Sequence, residues 1–343
     1  MKRHDDLLGF ARITLGLGSD DRLELTPFAG RGSNRCYFRL RWGSSCSAIL
    51  VNYDPRRIEN TLYAGIAQFL HEIGIPVPRI IGHDMQECLL MQEDLGDSDL
   101  FSMRHEPWES RTRLYRRTLA VAHSLHSCPE ERLPAGRVQL MEPFGPDLYR
   151  WERNYFLSHF VGDLCEIQPG HASAAKLEDE LSRLAARLSC SPRCLVHRDL
   201  QSQNVMFRED APFLIDFQGM RFGNRFYDLA SLLCDPYVTL LADERRELLY
   251  YYYQHSEPAS DWNGFEKMFW EASAQRLMQA LGAYGYLGRS RGLTGYYRYV
   301  PQGLRNLTAA AGSVSSLPAL LDLCLKCQDA IEQSGFAIIS AEP

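Results

Sequence analysis

The chain has almost no lysine: four of its 37 basic residues, at positions 2, 176, 267 and 326, with none between residues 3 and 175. Positive charge is left to arginines that form no basic run, and the formal net charge is −6. That excludes the electrostatic footprint of a nucleic-acid binder, and any anionic ligand must be met by individually placed groups. No apolar stretch reaches the roughly 18 to 20 residues that cross a bilayer, so no membrane partner is expected. The start from Met1 to Asp6 is too charged to open a signal peptide, which gives the expectation of a cytoplasmic protein. Internal repeats and low-complexity linkers are missing too, so two parts sharing a cleft are expected over loosely tethered ones.

Cysteine is not scarce. The ten cysteines are scattered through apolar runs, as buried reduced thiols would be. Cys324 with Cys327, and Cys190 with Cys194, make two spaced pairs, but neither has histidines at ligand spacing, so no metal or redox site is expected there. At 343 residues, 45% of them hydrophobic and 23% charged, the chain has the length for a large core and two domains.

From Leu23 to Leu40 apolar and polar residues alternate on either side of Ala29-Gly30-Arg31-Gly32-Ser33-Asn34, which predicts a hairpin. A β-rich run, Ala48 to Val51, precedes Ile58, Leu62, Ile66, Phe69, Leu70 and Ile73, spaced as one face of a helix that Gly74 stops. Arg79 to Ile81 and Cys88 to Met91 complete a small sheet with one helix, ending near Gly96. Helical periodicity then takes over, in Leu114 to Leu125, Leu148 to Phe160, Leu177 to Leu188 and most of the chain from Tyr227 onwards. Two short apolar pieces interrupt it, Cys194-Leu195-Val196 and Phe213-Leu214-Ile215. The expectation is an α+β chain with a small sheet lobe over residues 1–96 and a larger helical lobe over 97–343.

Those two apolar pieces carry the chemistry. The first runs into His197-Arg198-Asp199, then Asn204 and an apolar pair; the second ends at Asp216-Phe217-Gln218. Phosphoryl transfer needs an acceptor for the incoming hydroxyl proton and oxygen ligands for magnesium on the triphosphate. Asp199, Asn204 and Asp216 supply these groups in that order. A metal-dependent hydrolase built on His197, Asp199 and Asp216 would want more histidines nearby.

The motifs resemble the catalytic loop and metal-binding strand of the protein-kinase-like fold, in the version found in aminoglycoside phosphotransferase-like small-molecule kinases. The resemblance implies a two-lobed fold that uses ATP and Mg2+, with Asp199 as the base or hydroxyl-positioning group and Asn204 and Asp216 as magnesium ligands. It also implies that His197 braces the loop and that Asp228, in Tyr227-Asp228-Leu229-Ala230, anchors it from a helix start. The first hairpin then stands where kinases have a glycine-rich loop, assigning Gly30, Arg31, Gly32, Ser33 and Asn34 to the phosphates, since glycine lets backbone amides come close. Arg35 occupies the place where a dinucleotide fingerprint wants a third glycine, which argues against NAD. Gln92 to Gly96 becomes the hinge, with backbone groups of Glu93 and Leu95 facing adenine. Taken without the resemblance, both segments are ordinary turns.

Protein kinases hold a peptide on a segment closed by A-P-E, and they carry a lysine on the third strand against the phosphates. Neither is present: Tyr227 follows Asp216 by eleven residues, and Ile49-Leu50-Val51-Asn52-Tyr53 contains no lysine. A small-molecule acceptor is therefore expected. Arg31, Arg35, Arg56 and Arg57 are the candidates for the missing charge, and Glu59 on the next helix lacks the lysine a kinase would offer it. The C-terminal half resembles a narrower group, bacterial kinases of cell-wall amino sugars, which phosphorylate the anomeric hydroxyl of N-acetylmuramate and N-acetylglucosamine. The similarity lies in His197-Arg198-Asp199 instead of H-G-D, Ile215 to Gln218, Tyr227 to Leu233, Gln275-Arg276-Leu277 and Tyr296 to Leu304, and those kinases share the absent lysine. Gln201, two residues after Asp199, is a candidate for touching a sugar, and so are Trp151 and Glu152 in the helical part. Aminoglycoside or amino-alcohol kinases, and a nucleotide-binding pseudokinase acting by association, are the rival readings.

Overall fold

The computed structural model describes residues 2–28, 35–133, 136, 138–256 and 261–333. It divides into two compact units. The first comprises Met1–Asp99, Pro129–Met141 and Asn204–Met220; the second comprises Leu100–Cys128, Glu142–Gln203 and Arg221–Pro343.

The first unit is built on five strands, β1 (Leu23–Pro27), β2 (Cys36–Trp42), β3 (Cys46–Asn52), β4 (Ile80–Asp84) and β5 (Leu89–Glu93), with helices α1 (His4–Leu15) and α2 (Ile58–Glu72). The strands lie in the order β1-β2-β3-β5-β4, and every pairing is antiparallel. Alternation sends Leu40, Ala48, Leu50, Leu89 and Met91 to one face, where Leu7 and Ala11 of α1 cover them. Each fully buried leucine there contributes about 1.5–3 kcal/mol. The sequence reading has one helix in this region; α1 is an addition, and its polar residues, three of them charged, mask its apolar stripe.

Tyr37, Val51, Leu90 and Gln92 point to the other face, where Asn60 and Tyr63 of α2 line a small cavity of about 20 Å³ with them. The predicted helix stop is present, since Gly74 takes a left-handed φ of 79°. A second hairpin, β7 (Val205–Arg208) with β8 (Ala211–Leu214), also belongs to this unit. Its Leu214 amide donates to the Pro76 carbonyl at 2.9 Å.

In the second unit the short strand β6 (Arg193–Val196) pairs with β9 (Arg221–Asn224), which leads directly into α6 (Arg225–Leu233). The other helices are α3 (Trp108–His126), α4 (Pro146–Phe156), α5 (His171–Ser189), α7 (Ala242–His255), α8 (Trp262–Arg291), α9 (Val300–Gly312) and α10 (Pro318–Gln333). The 30-residue α8 is the axis, packed against α4, α6 and α9. Gly282 permits its close crossing with α4, because a Cβ there would sit 2.9 Å from the Phe156 amide nitrogen. After Phe156 the helix widens into a π turn, Leu157–Gly162, where the periodicity suggested one uninterrupted helix. Among the described residues, no helix is long and apolar enough to cross a membrane.

Candidate active site

The β7–β8 hairpin explains how Asn204 and Asp216, twelve positions apart, become neighbours. Asn204 precedes β7 and Asp216 follows β8 by one residue, and the open end is closed by the Ile215 amide donating to the Asn204 carbonyl at 3.0 Å. Asp216 has a left-handed φ of 63°, a conformation that costs a non-glycine residue about 1 kcal/mol or more. Phe217 is fully buried and stacked on Tyr63 of α2, with centroids 4.4 Å apart, which holds the turn against the sheet unit. The Asp216 carboxylate receives Gln218 Nε2 at 3.2 Å and pairs with the Arg35 guanidinium. Burial opposes the Arg35 charge, but Asp216 outweighs it and holds the group firmly protonated. The amide oxygen of Asn204 and the carboxylate of Asp216 are hard donors of the kind magnesium prefers, and the residues present fit that ion.

Of the arginines considered for the missing lysine, Arg35 is the one the fold carries to Asp216. Arg31 lies outside the described residues, Arg56 is exposed and pairs with Asp54, and Arg57 faces Glu59 at 3.8 Å. Glu59 thus finds a partner two residues away in its own first turn. Gly30, Gly32, Ser33 and Asn34 also lie outside the described residues. In the expected hinge, the Glu93 amide donates to the Arg79 carbonyl at 2.8 Å, and its carboxylate accepts from Arg208 at 2.6 Å. Leu95 is buried, and Gly96 turns the chain with φ 85°.

In the second unit, β6 delivers His197, Arg198 and Asp199 onto the start of α6. Asp228, fully buried in the first turn of α6, accepts from the backbone amides of His197 at 2.7 Å and Arg198 at 2.8 Å, and His126 Nε2 lies 3.0 Å from the same carboxylate. Hydrogen bonds to a buried charged acceptor contribute about 1.5–3 kcal/mol each. His197 is buried, and its Nδ1 accepts from the Asp199 amide at 3.3 Å, so it braces the loop from inside. Arg198 is left-handed, φ 77°, and the clamp on both sides of it sustains that strain.

Two participants were given no role in the sequence reading. Asp235 lies seven residues beyond Asp228, just past the end of α6, and accepts from both the amide and the hydroxyl of Ser202, at 2.8 and 2.6 Å. A carboxylate directly ending the apolar run Leu229 to Cys234 was the available signal. Burial pushes Asp235 up to about 6. Arg276, on α8, donates from Nη2 to Asp199 Oδ1 at 2.7 Å and is itself tied to Ser231 at 2.7 Å and Gln279 at 2.8 Å.

Gln201 is half-buried beside this loop, its amide donating to the Asp199 carbonyl at 2.9 Å. Glu152 faces inward instead: it accepts from Tyr227 Oη at 2.7 Å and Gln275 Nε2 at 3.0 Å, and burial pushes its carboxyl up. Trp151 is exposed and stacks on Tyr155 at 5.0 Å. All ten cysteines are free. Cys324 and Cys327 are buried, as expected, whereas Cys46 and Cys190 are exposed.

Residues 24–265 match the model of the phosphotransferase enzyme family, APH. The chain belongs to that family and is a kinase. It is similar to the N-acetylmuramate/N-acetylglucosamine kinase of Pseudomonas aeruginosa, 24% identical over 321 residues that cover 91% of this chain and 90% of the relative. The kinase of the same name from Neisseria meningitidis is 22% identical over 311 residues, 88% and 90% of the two chains. Among solved structures, the streptomycin–ATP complex of the aminoglycoside phosphotransferase APH(2″)-IIa shares the fold with a TM-score of 0.60 at 16% identity, covering 86% of this chain and 95% of that one. The two-part α+β, protein-kinase-like architecture is therefore established.

Proposed function

We propose that this chain transfers the γ-phosphoryl group of ATP to the anomeric hydroxyl of an N-acetylated amino sugar. The observation that carries the chemistry is that Asn204 and Asp216 lie at the same open end of one hairpin, joined through the Ile215 amide and the Asn204 carbonyl, together with Asp199 held by Asp228, His197 and Arg276. The acceptor is supported by similarity to kinases named for N-acetylmuramate and N-acetylglucosamine over nine-tenths of both chains. The eleven residues from Asp216 to Tyr227, too few for a peptide platform, agree with it.

In this reading Asp199 orients the acceptor hydroxyl and takes its proton late, as that oxygen bonds to the γ-phosphorus and ADP leaves. An anomeric hydroxyl is more acidic than an ordinary sugar alcohol, which suits a carboxylate whose charge is shared with Arg276. Asn204 and Asp216 would hold Mg2+, which when bound neutralises triphosphate charge. Arg35 supplies the phosphate-directed positive charge that the third strand lacks. Phosphorus NMR of the product made from N-acetylglucosamine should show a phosphate coupled to the anomeric proton. A 6-phosphate, or turnover confined to aminoglycosides, would overturn the acceptor and leave the kinase chemistry standing.

A further inference from the structure

Six tyrosines crowd two short stretches of the second unit, Tyr237 just after α6 and five from Tyr284 to Tyr299 at the end of α8 and beyond it. Tyr237 meets Tyr299 edge to face at 4.3 Å and tilts against Tyr284 at 6.2 Å, and Tyr284 stacks with Tyr296 at 6.0 Å. Tyr284 is buried and forms the floor. Tyr237, Tyr296 and Tyr299 are half-buried, so each keeps some surface exposed.

Two connections tie this cluster to the catalytic loop. The Tyr237 amide donates at 2.9 Å to Asp235, whose carboxylate also grips Ser202, three residues after Asp199. Tyr237 also feels the Asp199 charge directly: after burial, the charges of Asp235 and Asp199 raise its phenol further. The exposed stack of Trp151 on Tyr155 extends instead to His159 and Tyr286.

We infer that Tyr237, Tyr296 and Tyr299 form the wall of the acceptor site, on which the apolar face of a pyranose ring lies beside Asp199. The inference rests on the reading of the chain as a sugar kinase and deepens it by naming the surface that selects the ring. The C–H face of a pyranose packs on an aromatic ring, and phenolic hydroxyls at the ring rim face the sugar's polar edge. The charges around the wall also select. Asp235 is occupied by Ser202 and the Tyr237 amide, Asp199 is paired with Arg276, and Arg298 lies over the Tyr299 ring at 4.8 Å. A surface so furnished fits a neutral or carboxylated sugar and offers little to a polycation.

The test uses the full chain with ADP bound, and reads saturation transfer from protein to N-acetylglucosamine by NMR beside steady-state kinetics. Wild type should transfer saturation to the ring C–H protons. Tyr299→Ala and Tyr237→Ala should raise the acceptor KM about tenfold with the KM for ATP unchanged, and Tyr299→Phe should stay within about twofold because the ring is kept. Tyr296→Ala, at a more peripheral ring, serves where another variant fails to fold in a thermal melt. Kanamycin should not displace the sugar signal. Sugar binding that is unaltered in the alanine variants would overturn the wall alone. Absence of binding by wild type to both N-acetylglucosamine and N-acetylmuramate would overturn the proposed acceptor, and with it the ligand assigned to the wall.

Discussion

Each unit presents one aspartate to a buried arginine, and the two pairs differ in how the arginine is held. Arg276 and Arg35 are similarly withdrawn, with side chains 6% and 9% exposed, and their aspartates are similarly accessible, at 37% for Asp199 and 30% for Asp216. Arg276 projects from the middle of the longest helix and is fixed by Ser231 and Gln279 as well as by Asp199, so its charge is part of the scaffold. Arg35 stands at the very start of β2, over the Tyr37 ring, immediately after the undescribed residues 29–34. The difference is one of setting: one pair is built into a helix-borne network, and the other stands at a strand start where, in the proposed function, the phosphates of the nucleotide would compete for Arg35.

Substitutions can break this comparison, beginning with the aspartates. Asp199→Asn should lower kcat about a hundredfold or more, the scale of general-base catalysis, with nucleotide affinity nearly unchanged; unchanged turnover would remove Asp199 from the chemistry. Asp216→Asn should weaken magnesium-dependent ATP binding about ten- to a hundredfold, since a charged ligand is lost, and identical magnesium titrations in calorimetry would assign it another role. The arginines then sharpen the contrast. Arg276→Gln should reduce kcat about tenfold with Kd for ATP unaltered, and Arg276→Lys should recover part of it. Arg35→Met should lower ATP affinity about tenfold while leaving adenosine affinity as it was. Equal losses for ATP and adenosine would make Arg35 a structural prop like Arg276.

The smallest effect concerns the clamp behind Asp199. Asp235 has a folded value of about 6, above the ordinary carboxylate range because of burial. The folded state therefore holds the proton to higher pH than the unfolded chain. The stability this group contributes is complete below about pH 4 and is lost as pH rises through about 6. The melting temperature of Asp235→Asn, relative to wild type, should accordingly rise by about 2 °C or more between pH 4 and pH 7. A pH-independent difference would mean that Asp235 ionises in the fold as it does in water.

Much of the site was legible because its residues are contiguous and their spacing is dictated by local chemistry. His197, Asp199 and Asn204 sit in one loop, Asp216 closes the next strand, and Asp228 opens the next helix; a hairpin and a helix start are short-range events that turn residues and alternation announce. The five strands of the first sheet and α2 were visible for the same reason. What the sequence by itself determined, then, was the fold class, the kinase chemistry and the order of its acidic and amide groups. Tertiary structure alone decided which of four arginines meets Asp216, that an arginine 77 residues downstream meets Asp199, and that Glu152 points into the core while tyrosines from two distant stretches gather near the loop. Those outcomes depend on which helix faces come together and which charges survive burial, and a long side chain such as arginine reads the same in sequence whether it ends in solvent or on a carboxylate.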